Sequence, residues 1–137
     1  MTLESVRILE FLTFCHDFIV IHSGDLGYRA DTLHLKRKYH VKDYIRDVQK
    51  HFPINRAVLY GSYAKGTNNE YSDVDVAIFS DSFKDKNRIE VNTFLFSLAR
   101  KYKDICIEPI GFDSSDLEEN NPFIKEIIDT GKEIYVQ

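Results

Sequence analysis

The stretch "LYGSYAKGTNNEYSDVDVAIF", Leu59 to Phe79, holds a Gly-Ser pair, Gly61 and Ser62, and then, after ten further residues, two aspartates, Asp73 and Asp75. Residues two apart on a strand face the same side, so Asp73 and Asp75 project together while Val74 and Val76 point into a core. Two carboxylates held side by side repel each other, and a cation between them removes that cost. Magnesium suits the position, because it prefers carboxylate oxygens and substrate phosphates. Two such ions about 4 Å apart activate an attacking hydroxyl and stabilise a leaving pyrophosphate. Gly61 lets the backbone approach a ligand closely. A helical turn opening at Ser62 would aim backbone N–H groups at a phosphate, and the serine hydroxyl adds a donor. Lys65 and Gly66 extend this phosphate-facing loop.

These residues need elements to hold them. "NRAVLY" is short and apolar, stops at Gly61, and reads as a strand; "SDVDVAIF" alternates and reads as a second. Val91, Phe94, Leu95, Leu98, Ala99 and Tyr102 recur at helical spacing over residues 88–102. "DICIEPIGF" reads as a third strand, with Pro109 and Gly111 near its end. "NPFIKEIIDTG" has Pro122 at its start and Gly131 at its stop, the asymmetry of a helix, and "KEIYV" reads as a final short strand. Upstream, Ile8, Phe11, Leu12, Cys15, Phe18 and Ile19 form a helical stripe. A loop with Gly24 and Gly27 follows, and Asp31 or Thr32 is the expected cap of a second helix. That helix presents Val41, Tyr44, Ile45, Val48 and Phe52 on one face and ends at Pro53.

Composition narrows the function. The 137 residues fit a single domain with one core. Lys and Arg total 18 against 22 Asp and Glu, so the net charge is −4, and no strong nucleic-acid binding is expected without a basic face. The two cysteines, Cys15 and Cys106, stand far apart in no motif, which argues against a disulfide framework or zinc site and fits a reducing, cytoplasmic setting. Cys106 itself reads as a small core side chain. The most apolar run, "ILEFLTFCHDFIVI", is too short and too charged for a membrane span and lacks the features of a secretory signal.

The pattern "GSYAKG…SDVDVAIF" resembles the minimal nucleotidyltransferases of the DNA polymerase β superfamily, whose signature is G-S, ten residues, then D-x-D. Gly61, Ser62, Asp73 and Asp75 match it with the family's gap. The resemblance covers roughly Val41 to Val136. It divides the chain into a domain at 41–137 and an N-terminal helical extension, 1–40, with no functional reading. It implies an α/β (α+β) fold with a small mixed sheet flanked by helices. It also implies two Mg2+ ions and transfer of a nucleoside monophosphate from a triphosphate such as ATP. Carried over, Asp73 and Asp75 would ligate metal, Gly61 and Ser62 would hold the triphosphate, and Lys65 would reach a phosphate.

Active members add a third carboxylate from a neighbouring strand. Asp104, Cys106 and Glu108 alternate onto one face, and some relatives carry an aspartate where Cys106 stands. Glu108 is the first candidate for the third catalytic and metal-ligating carboxylate, and Asp104 the second. Tyr60, Tyr63 and Tyr71 flank the motif and read as packing residues. A short chain leaves no room for an elaborate acceptor domain. It therefore resembles the antitoxin half of HEPN–MNT toxin–antitoxin pairs, which implies a protein adenylyltransferase acting on a tyrosine of a HEPN-type partner. The alternatives are a small-molecule, antibiotic-type nucleotidyltransferase and an antitoxin that works by contact with weak catalysis.

Overall fold

The computed structural model describes residues 27–69 and 71–136, with side chains from Arg37 onward except those of Lys38 and Val136. The helical stripe over residues 8–19 lies outside the described residues. The first described helix, α1, runs Gly27–Gln49. Asp31 and Thr32 therefore lie inside it and not at its start, contrary to the sequence expectation. The physical reason is that no glycine or proline interrupts the chain between Gly27 and Gln49, so propagation continues back to Gly27. The helix also passes through positions 40 and 41 without a break. It stops just ahead of Pro53, its last turn closed by Phe52 N–H donating to the Val48 carbonyl at 2.9 Å.

Four strands follow: β1 Arg56–Tyr60, β2 Val74–Phe79, β3 Ile107–Phe112 and β4 Lys132–Val136. Between them lie the single turn α2 (Ser62–Lys65), the crossover helix α3 (Arg88–Ala99) and α4 (Pro122–Thr130). The sheet order is β3-β2-β1-β4. β1 pairs antiparallel with both β2 and β4, whereas β2 and β3 run parallel. A parallel pair needs a long connection, and α3 supplies it. The sheet is thus mixed and flanked by helices, as the sequence implies.

Strand alternation splits the core into two layers. One face carries Ala57, Leu59, Val74, Val76, Ile78 and Ile107 against Val41, Tyr44, Ile45 and Val48 of α1 and Val91, Leu95 and Leu98 of α3. The Tyr44 hydroxyl finds its required partner by donating to the Leu95 carbonyl at 3.0 Å. The other face carries Val58, Ala77, Phe79 and Phe112 against Ile124 and Ile127 of α4. The start of α4 is capped by Asn121, whose Oδ1 accepts from Phe123 N–H at 3.0 Å, with Pro122 at the first turn. No helix among the described residues is long and apolar enough to cross a membrane.

Candidate active site

The C-terminal end of β1 and the N-terminal ends of β2 and β3 lie together, because β1 is antiparallel to β2 and β2 parallel to β3. This arrangement gathers the candidate residues. Register sets Tyr60 opposite Asp75, and Asp75 beside Glu108. Asp73 stands one residue ahead of β2, next to Val74, whose N–H donates to the Cys106 carbonyl at 2.8 Å.

The chain leaves β1 through Gly61, at φ 72°, and enters α2 at Ser62. A Cβ on Gly61 would sit 2.4 Å from Asp75 Oδ2, so only a glycine allows that carboxylate to lie where it does. The α2 turn is closed by Lys65 N–H to the Gly61 carbonyl at 3.1 Å and Thr67 N–H to the Ser62 carbonyl at 3.0 Å. Gly66, left-handed at φ 72° and ψ 17°, ends it.

Donor atoms of Asp73, Cys106 and Glu108 lie within 4.8 Å of one another, all three residues exposed. Glu108 lies within hydrogen-bonding reach of both Asp73 and Asp75, which joins the half-buried Asp75, its neighbour across the strand pair, to the group. The electrostatic cost is visible. Burial and the Asp73 charge push the Asp75 carboxyl up, and burial with the Asp73 and Asp75 charges does the same to Glu108. Burial and the charges of Asp75 and Glu108 push the Tyr60 phenol up to about 12. The hydrogen bond to Asp73, then burial, pushes the Cys106 thiol up to about 11. Carboxylates gathered this closely, two of them raised by burial and by their neighbours' charge, are a donor set that a hard divalent cation fits.

Two sequence expectations change here. The strand containing Glu108 begins at Ile107, not at Asp104. Asp104 lies in the preceding turn, where strand alternation no longer applies, and it is not part of the Asp73–Cys106–Glu108 group. It lines a groove of about 500 Å³ with Arg100, Lys103 and Cys106, which borders the Asp73–Cys106–Glu108 group. Cys106 is not a core side chain: it is exposed and hydrogen-bonded to Asp73. Its place two residues before Glu108 was the signal that carried this. Lys65 Nζ pairs with Glu126 of α4 at 3.4 Å. Of the flanking tyrosines, Tyr63 is buried and Tyr60 packs edge-on against Phe123 at 6.0 Å, but Tyr71 is 85% exposed and packs little.

Comparison with known proteins gives the chain a family and a fold. Residues 42–137 match the family model described as polymerase beta, nucleotidyltransferase. The chain is 33% identical over 99 residues to a candidate protein adenylyltransferase of Methanocaldococcus jannaschii, covering 69% of this chain and 94% of the relative. Among solved structures it is similar to a candidate nucleotidyltransferase of Sulfolobus solfataricus, with a TM-score of 0.52 and 16% identity over 72% of this chain and 79% of that one. It is also similar to a toxin–antitoxin crystal structure with AMP-PNP, with a TM-score of 0.50 and 20% identity over 72% of this chain and 73% of that one. At these identities the structural matches establish the fold.

Proposed function

Because the chain belongs to the polymerase beta nucleotidyltransferase family, we propose that it moves AMP from ATP to a hydroxyl of a partner protein, a tyrosine of a HEPN-type toxin. The observation that carries the reading is the convergence of Gly61, Asp73, Asp75 and Glu108 at one end of the sheet. The Methanocaldococcus jannaschii relative is named as a protein adenylyltransferase, which supports AMP as the group and protein as the acceptor. The toxin–antitoxin structure with AMP-PNP, of the same fold, is consistent with ATP as donor and a toxin as acceptor.

In this reading Asp73, Asp75 and Glu108 would hold two Mg2+ ions, with Asp104, which stands outside the Asp73–Cys106–Glu108 group, as the second candidate for the third carboxylate. When bound, such ions neutralise triphosphate charge and lower the pKa of the attacking hydroxyl. Gly61 keeps the backbone open beside Asp75, and Ser62 offers its hydroxyl and turn amides to the triphosphate. Lys65 stands one turn further on and would exchange its exposed Glu126 pair for a phosphate, a small loss for a surface ion pair. The acceptor oxygen bonds to the α-phosphorus as the bond to the bridging oxygen breaks. Pyrophosphate leaves, and the hydroxyl proton passes to a site carboxylate or to water.

The test is to incubate the chain, Mg2+ and the product of an adjacent reading frame with ATP labelled at the α- or the γ-phosphate. Label on the partner from the α-position alone, lost with Asp73→Asn or Asp75→Asn, is the expected result. Neutralisation of the partner without label would replace the reading with a contact-only antitoxin. Label confined to aminoglycoside-like small molecules would replace it with the antibiotic-type enzyme.

A further inference from the structure

We propose that Arg37 of α1 is a positioning residue that ties the Ser62 turn to the loop delivering Asp73; its consequence for nucleotide binding rests on the function proposed above. Arg37 precedes the family-matched region, which begins at residue 42. It is 8% exposed although it carries a full charge. A guanidinium out of water must be hydrogen-bonded to be tolerated, and a planar fork reaches acceptors on separate segments. Its Nη1 donates to the Tyr63 hydroxyl and, at 3.4 Å, to the Asn69 carbonyl.

Both acceptors lie in the site's own supports. Tyr63 is the residue after Ser62 in α2 and is 6% exposed. Asn69 organises the turn that leads to Asp73. Its carbonyl also accepts from Ser72 N–H at 3.1 Å, its Oδ1 accepts from Tyr71 N–H at 2.8 Å, and its own N–H donates to Ser72 Oγ at 2.9 Å. Ser72 is followed directly by Asp73. One side chain therefore joins the turn meant for phosphate to the turn that aims the first carboxylate. Neither turn belongs to the sheet ladders, so neither is held in place by strand pairing. A contact from outside the family-matched region couples them, which gives the segment ahead of residue 42 a part in the site.

The experiment uses the full chain as wild type, Arg37→Leu, Arg37→Lys, Tyr63→Phe and Arg37→Leu with Tyr63→Phe. Two readouts are taken: amide hydrogen exchange and MgATP affinity by calorimetry. Arg37→Leu is expected to speed exchange at the Thr67 and Ser72 amides and leave the β2 amides Val76 and Ala77 unchanged. It is expected to weaken MgATP roughly tenfold, the size of one lost charge-assisted bond. Tyr63→Phe should give a smaller effect at the same amides, and the double variant should be no worse than Arg37→Leu alone, since the two act through one contact. Should Arg37→Leu fail to fold, Arg37→Lys and Tyr63→Phe carry the same comparison. Unchanged exchange at Thr67 and Ser72, loss of protection spread evenly into β2, or strictly additive effects would each overturn the proposal. If the wild-type chain binds no MgATP, the nucleotide reading falls, while exchange and the double variant still decide the coupling.

Discussion

The Asp75 carboxylate lies directly against the Cα of Gly61, with Oδ2 only 2.4 Å from where a Cβ would stand. The two residues are brought together by the antiparallel pairing of Tyr60 with Asp75, which sets the exit of β1 beside the start of β2. The Gly-Ser turn and the second aspartate are thus one packed unit, although they are far apart along the chain.

Gly61→Ala should damage that unit twice. Gly61 has φ 72° and ψ −147°, a conformation that suits glycine almost alone, so alanine there costs about 1–3 kcal/mol of backbone strain, and the new methyl must displace the Asp75 side chain. Urea unfolding should show a loss of that size or larger, and transfer to the partner should fall below detection. Wild-type labelling by Gly61→Ala would show that the close approach is not required.

The raised carboxylates make the metal-free protein pH-sensitive. Asp75 and Glu108 have ordinary values of 3.8 and 4.5, and both are shifted upward in the fold. The folded state therefore binds protons more tightly than the unfolded state. The contribution of these groups is fully present below the ordinary values and is lost as pH rises through the raised ones. Without added metal, unfolding free energy measured from about pH 4 to about pH 7 should fall more steeply in wild type than in Asp75→Asn with Glu108→Gln. Parallel curves would show that the carboxylates do not repel as described.

Cys106→Asp should strengthen Mg2+ use. A neutral thiol stands among the donors, and a hard cation prefers oxygen over sulfur. The variant should need several-fold less Mg2+ for half-maximal transfer at saturating ATP. An unchanged Mg2+ requirement would place Cys106 outside the coordination set.

Asp47 and Tyr102 give the opposite pH signature, away from the site. The Tyr102 hydroxyl donates to Asp47 Oδ2 at 2.6 Å and holds the Asp47 carboxyl below its usual range. A depressed carboxylate stabilises the fold above its ordinary value of 3.8, and that support is lost as pH falls through the folded value. Tyr102→Phe should cost about 1 kcal/mol at neutral pH, with the difference from wild type shrinking in acid. Transfer per folded molecule should stay at the wild-type level.

Much of the frame was legible because its signals are local. Alternation marked β2, helical periodicity marked α3, and the Pro122–Gly131 pair bounded α4. The missed features were those that local signals do not carry. Asp31 and Thr32 have capping chemistry, yet the helix propagates past them. Asp104 fits an alternating pattern, but the chain is still turning there.

By itself the sequence determined that Asp73 and Asp75 stand two residues apart at the start of one strand, because the alternating run "VDVAIF" marks where that strand begins. It also determined the glycine between β1 and α2. Only the tertiary structure decided which third group joins the aspartates. That choice depends on β3 lying parallel to β2 with Glu108 opposite Asp75, and on where the turn before Ile107 ends. Strand partner and register are set by burial of both sheet faces against α1, α3 and α4, a non-local balance that no short motif encodes.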